Sequence, residues 1–132
     1  MIGEPRKSVK DLVDAANSEI RTYTQDEAAS LLHDENVQLV DIRDVRELQR
    51  DGMIEGAFHA PRGMLEFWVD PDSPYHKEIF AEDKTFIFYC ASAWRSALAT
   101  KAAQDVGLQN CGHLEGGFLG WKKAGRPFVE KD

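Results

Sequence analysis

The 132-residue sequence predicts an α/β fold, a central parallel sheet of about five strands flanked by helices on both faces. Three observations predict it. Short runs rich in β-branched, aromatic and apolar residues, VQLVDI at 37–42 and TFIFY at 85–89, alternate with stretches of helical period or helix-forming composition. TFIFY shows no polar alternation beyond Thr85, the pattern of a strand covered on both faces. Helix-compatible segments separate the strands, which implies right-handed crossovers and a mostly parallel sheet.

Taken in order, Val9, Leu12, Val13, Ala16 and Ile20 fall at three- and four-residue spacings, one face of a helix that starts near Ser8. Thr24 stands three residues before Glu27, the spacing at which each side chain satisfies an orphan amide, and opens a helix over about 25–33. VQLVDI is the first clear strand. Residues 44–51 are charged and helix-compatible, and Gly52 can end them in a left-handed conformation. A turn with Gly56 leads into AFHAP, and 62–80 reads as a short helix, a Pro-rich loop and a further helical turn. After TFIFY comes an alanine-rich helix from Arg95 to Val106, stopped by Gly107. CGHLEGG offers a last short strand, and GFLGWKKAGRPF a terminal helix ended by Gly125 and Pro127.

Length fits one domain rather than two. Sixteen Lys and Arg against 23 Asp and Glu leave a net charge of −7, which disfavours nucleic acid and acidic membrane surfaces as partners. Cys90 and Cys111 are too few for a disulfide scaffold and lack a CxxC pair, so a reducing compartment is the default. No window approaches the roughly 20 apolar residues of a membrane span, and the N-terminus has no signal-peptide run. A cytoplasmic location is the expectation. His33, His59, His76 and His113 show no metal-ligand spacing, and neither a metal nor a cofactor is called for.

Cys90 carries the chemistry. It follows a strand and precedes the small-residue turn ASA and a helix, on the side of a parallel sheet where ligands bind. The free amides and positive dipole end of a helix start favour an anion, and Arg95 adds a fixed positive charge, so a thiolate is favoured there. Ala91, Ser92, Ala93, Trp94, Arg95 and Ser96 then form a bowl of backbone N–H groups around one sulfur. The bland reading, a buried structural thiol, fits an isolated cysteine better than one in this context.

Three blocks resemble the single-domain rhodanese (thiosulfate sulfurtransferase-like) family, over about residues 20–130. LVDIRDVRELQRDGMIEGAFHAP is similar to the family's strand and helix followed by a G-H-I-x-G-A turn, matched by Gly52, Ile54, Gly56 and Ala57; Met53 replaces the usual histidine at a position read as structural. YCASAWRS resembles the active loop, and LEGGFLGW the C-terminal G-G-x-x-x-W signature at Gly116, Gly117 and Trp121. On this resemblance residues 1–20 are a helical extension packed on a domain of 21–132.

The resemblance implies a sulfurtransferase with Cys90 as nucleophile. It would take a sulfane sulfur from thiosulfate or a persulfide donor and pass it to cyanide or a thiol, the acceptor being a small molecule or a protein. Ala91 to Ser96 would bind substrate, and Asp41, Arg43 and Glu47 would support the loop, where a bland reading has a solvated charge run. Related cell-cycle phosphatases place five residues between cysteine and arginine; here there are four, Ala91 to Trp94, a tighter loop that suits sulfur. No basic residue besides Arg95 lies in the loop, and Trp94 could favour a bulkier, partly apolar donor. Strand geometry sets Cys111 too far away to resolve Cys90, and Met64 to Trp68 form either core or a partner-selecting rim. The rival readings are an anion- or protein-interaction module and, further off, a phosphatase or arsenate reductase.

Overall fold

The computed structural model describes residues 7–131. Its elements are α1 (Val9–Asn17), β1 (Arg21–Tyr23), α2 (Gln25–Ser30), β2 (Val37–Asp41), α3 (Val45–Asp51), β3 (Phe58–His59), α4 (Leu65–Val69), β4 (Thr85–Tyr89), α5 (Trp94–Val106), β5 (Cys111–Leu114) and α6 (Gly117–Lys123), with 3-10 turns at Arg62–Met64 and Glu78–Ala81. All strand pairs are parallel, in the order β1-β5-β4-β2-β3, so TFIFY is the central strand. Among these residues no helix is long and apolar enough to cross a membrane.

The two-residue period of β4 explains its composition. Phe86, Phe88 and Cys90 face a cluster with Leu65 and Val69 of α4 and Ala99 and Ala103 of α5. Ile87 and Tyr89 face the other side, among Ala28 of α2 and Phe118 and Trp121 of α6. Phe118 and Trp121 are thus packing residues, as the terminal helix required.

Capping chemistry sets where the helices begin. Ser8 with Asp11, Thr24 with Glu27 and Asp44 with Glu47 each form a reciprocal capping box at the start of α1, α2 and α3.

Several expectations need correction. α2 ends at Ser30, because Leu31 leaves helical geometry and the chain turns toward β2. β1 and β3, three and two residues long, are too short to leave a periodic signal. α5 starts one residue earlier than expected, at Trp94. Gly52 does end α3 with positive φ (+87°), but its ψ of −177° is extended rather than left-handed helical. In α1 only Val13 and Ala16 are buried, against Ala97, while Val9 and Leu12 are exposed. One neighbouring helix can cover only a narrow stripe. Residues 1–6 of the expected extension, and Asp132, lie outside the described residues.

Candidate active site

β4 delivers Cys90 to the carboxyl end of the sheet, and the backbone then turns sharply. Ala93 adopts φ +82° and ψ 1°, a left-handed conformation tolerated by a small residue, and leaves the start of α5 without a side-chain cap. The sulfur takes that place. Cys90 Sγ accepts hydrogen bonds from the Ala93 amide at 3.2 Å and the Ser96 amide at 3.3 Å, so it satisfies donors that a helix start leaves orphaned. Two amides therefore converge on one sulfur, which is itself fully buried, while the Arg95 guanidinium at the mouth of the same helix is held by Glu47. Of the bowl residues, Ser92, Trp94 and Arg95 are exposed, Ala91 and Ala93 half-buried, and Ser96 buried.

The outer wall of the bowl comes from the other end of the chain. Phe118 N donates to Cys90 O at 2.8 Å and Leu119 N to Ala91 O at 3.0 Å, so the first turn of α6 clamps the loop carbonyls. This approach requires glycine. Gly117 has φ +61°, and a Cβ there would stand 2.5 Å from Ala91 O and 2.6 Å from Cys90 O. Gln25, which carried no signal in the sequence, braces the same turn by donating from Nε2 to Glu115 O at 2.6 Å. Gly117→Ala is expected to destabilise the fold by about 1–3 kcal/mol from backbone strain alone, with the clash in addition. Urea unfolding checks this, and a loss of less than half the lower figure would show that the turn simply moves.

The three residues expected to support the loop fall into two ion pairs, Glu47 with Arg95 and Asp41 with Arg43. Glu47 grips Arg95 bidentately, at 2.8 and 2.9 Å, while also accepting from Asp44 N in its capping box. The Arg95 hydrogen bonds hold its carboxyl below the usual range. Asp41 pairs with Arg43 rather than with a loop residue, at 2.7 Å between Nη2 and Oδ2, and both side chains are sealed from solvent. Arg43 also donates to Gly52 O at 2.7 Å and lies 4.4 Å over the Phe118 ring. The solvated charge run is therefore wrong for Asp41 and Arg43. A sequence run does not reveal that a strand end turns its charges inward.

His113, which in the sequence is only one of four histidines without metal-ligand spacing, stands beside the cysteine loop. Phe88 pairs with His113 across β4 and β5, which puts the imidazole on the Cys90 face, 2% exposed. Nδ1 is 2.8 Å from Ser96 Oγ and Nε2 3.0 Å from Asn17 Oδ1. Its only sequence signal was a polar residue in a short strand sharing a face with Cys111. Burial pushes its pKa down from 6.5 to about 4. The folded state thus holds the ring neutral while the unfolded chain protonates it below 6.5, so this contribution is complete above 6.5 and lost as pH falls toward about 4. Denaturant titrations should lose up to about 3 kcal/mol across that window, a loss absent from His113→Gln. Parallel pH curves for the two proteins would contradict the buried neutral ring.

Cys111 pairs with Phe86, four residues before Cys90, so the two sulfurs sit at opposite ends of the sheet, about 13 Å apart along the strand. No disulfide spans that distance. In α4 the expected choice between core and rim splits by face: Leu65 and Val69 are buried, while Phe67 is exposed and stacks edge-on with exposed Tyr75, ring centroids 6.4 Å apart.

A parallel sheet whose central strand ends in a cysteine nested among the amides of the next helix defines an α/β domain with a cysteine loop at the carboxyl edge of its sheet. Residues 24–124 match the model of the Rhodanese-like domain, and the chain belongs to that family. The chain is 52% identical to RPA3614 of Rhodopseudomonas palustris, described as a protein of unknown function and possible tyrosine phosphatase, with a TM-score of 0.93 over 98% of this chain and 99% of that one. A "Sulfurtransferase" of Allochromatium vinosum is 30% identical over 95 residues, covering 72% of this chain and 80% of the relative. The "Uncharacterized protein slr1261" of Synechocystis sp. is 46% identical over 50 residues, which span 38% of this chain and only 28% of that longer protein.

Proposed function

We propose that the chain is a sulfurtransferase in which Cys90 carries the transferred sulfur. One observation carries the reading: the Cys90 sulfur receives two backbone amides inside a loop with only four residues before Arg95. The Cys90 thiolate attacks the outer sulfur of thiosulfate; a new S–S bond forms, the old one breaks, and sulfite leaves with its electron pair. Cys90 becomes a persulfide. An acceptor thiolate, or cyanide in an assay, then attacks the outer sulfur and Cys90 departs as thiolate. Donor, sulfite and persulfide are all anions, and fixed amides favour each without reorganisation. The reacting form is the thiolate, which attacks without a general base in that step.

Because the sulfur is fully buried, the donor has to displace the loop rim, of which Ser92, Trp94 and Arg95 are the exposed members. A thiol acceptor, small or protein-borne, is the partner this chemistry requires, and the acidic chain with Cys90 as free thiol suits the cytoplasm. The name given to RPA3614 raises a phosphatase as second reading. Against it stand the short loop and an Arg95 committed to Glu47 instead of a phosphate.

Intact-protein mass spectrometry after exposure to thiosulfate and to organic persulfides tests the reading. One added sulfur atom, removed by cyanide, is expected. Failure with every sulfane donor would favour the interaction module, and Cys90-dependent turnover of an aryl phosphate would favour the phosphatase.

A further inference from the structure

α1 precedes the stretch that matches the family, yet it reaches the cysteine loop through side-chain hydrogen bonds. Asn17, its last residue, presents Oδ1 to His113 Nε2, so Nε2 carries the ring proton and Nδ1 accepts from the Ser96 hydroxyl. Ser96 is held at each of its polar groups. Its hydroxyl goes to His113, its amide to the Cys90 sulfur, and its carbonyl accepts from Thr100 Oγ1 at 2.8 Å. Thr100 Oγ1 also lies 3.4 Å from Gly112 O, which ties the same helix turn to β5.

We propose that Asn17 and His113 are positioning residues of the Cys90 site, the chain Asn17–His113–Ser96 locking the first turn of α5 so that the Ser96 amide stays aimed at the sulfur. The N-terminal helix is then a working part of the site. Three features support this. The Ser96 hydroxyl, engaged by Nδ1, leaves the sulfur to a backbone donor whose direction is set by the helix. A ring buried merely to fill space would be apolar, because a buried imidazole must find partners for two nitrogens and here both are matched across three elements. Finally, α1 is docked by Val13 and Ala16 on Ala97, the residue after Ser96, and Gln104 Nε2 bonds Glu19 O at 3.2 Å just beyond α1. Asn17 and His113 also line a recess of about 280 Å³ with Ser92, Ala93 and Trp94, on the flank of the loop.

The inference rests on Cys90 being the reacting group, not on which donor supplies the sulfur. Asn17 is exposed, so its substitution spares the core. The test uses the full chain in a Cys111→Ser background, reading the iodoacetamide alkylation rate of Cys90 at neutral pH, the ¹⁵N shifts of His113 and the unfolding temperature. Asn17→Ala is expected to slow alkylation by about fivefold, the worth of one hydrogen bond, with an unfolding temperature lowered by only a few degrees. Its ¹⁵N spectrum should lose the preference for the Nε2–H tautomer. Asn17→Asp keeps an acceptor of the same shape and should restore the rate to within about twofold. An unchanged rate in Asn17→Ala, or an equal loss in Asn17→Asp, overturns the proposal. A parent protein that takes no sulfur yet shows this alkylation pattern would defeat the sulfur-transfer reading and leave the positioning role standing.

Discussion

Cys90→Ser should gain no sulfur from any donor, whereas Cys111→Ser should load as the parent does. A serine hydroxyl can still accept from the Ala93 and Ser96 amides, so the start of α5 keeps its cap and the fold survives. What disappears is an ionisable, polarisable nucleophile, because a hydroxyl stays protonated at neutral pH without a base beside it. Cys111 cannot substitute. Burial pushes its thiol up to about 11, so it is almost wholly protonated at neutral pH, and its Sγ contacts Leu108 O at 3.6 Å at the far end of the sheet. Mass spectrometry of both variants decides the matter: sulfur retained on Cys90→Ser would move the reaction to another residue.

Arg43→Met is expected to destabilise the protein by about 3–5 kcal/mol, the usual loss when one member of a buried ion pair is removed. The Asp41 carboxylate would remain sealed, keeping the residue 43 amide at 3.0 Å but losing the guanidinium that neutralises it. The damage should reach the site, since Arg43 also holds Gly52 O and lies over Phe118, whose amide fixes the Cys90 carbonyl. Removing both charges tells the desolvation penalty from simple loss of packing. The double variant Asp41→Leu/Arg43→Met should recover much of the loss, because an apolar pair of similar volume leaves no stranded charge. Urea unfolding that shows the double variant as unstable as Arg43→Met would place the penalty in packing instead.

Much of the site could be read along the chain because its parts are local. A strand covered on both faces, a cysteine at its end, a small-residue turn and an alanine-rich helix fall within 85–106, and the paired glycines announce the α6 turn. β1 and β3 escaped because two or three residues carry no period. The Asp44–Glu47 capping box has the same three-residue spacing in the sequence as Thr24–Glu27, and it is what presents Glu47 to Arg95.

By itself the sequence determined the α/β alternation, the central strand and the position of the thiol, since side-chain periodicity and turn chemistry act over a few neighbouring residues. Only the tertiary structure decided which charges are buried and which polar groups meet: Arg95 with Glu47 across 48 residues, His113 with Asn17 across 96. Such pairs depend on how the elements dock. A carboxylate or imidazole has the same composition signal on a solvated face as in a sealed one, and burial alone turns it into a support for the sulfur.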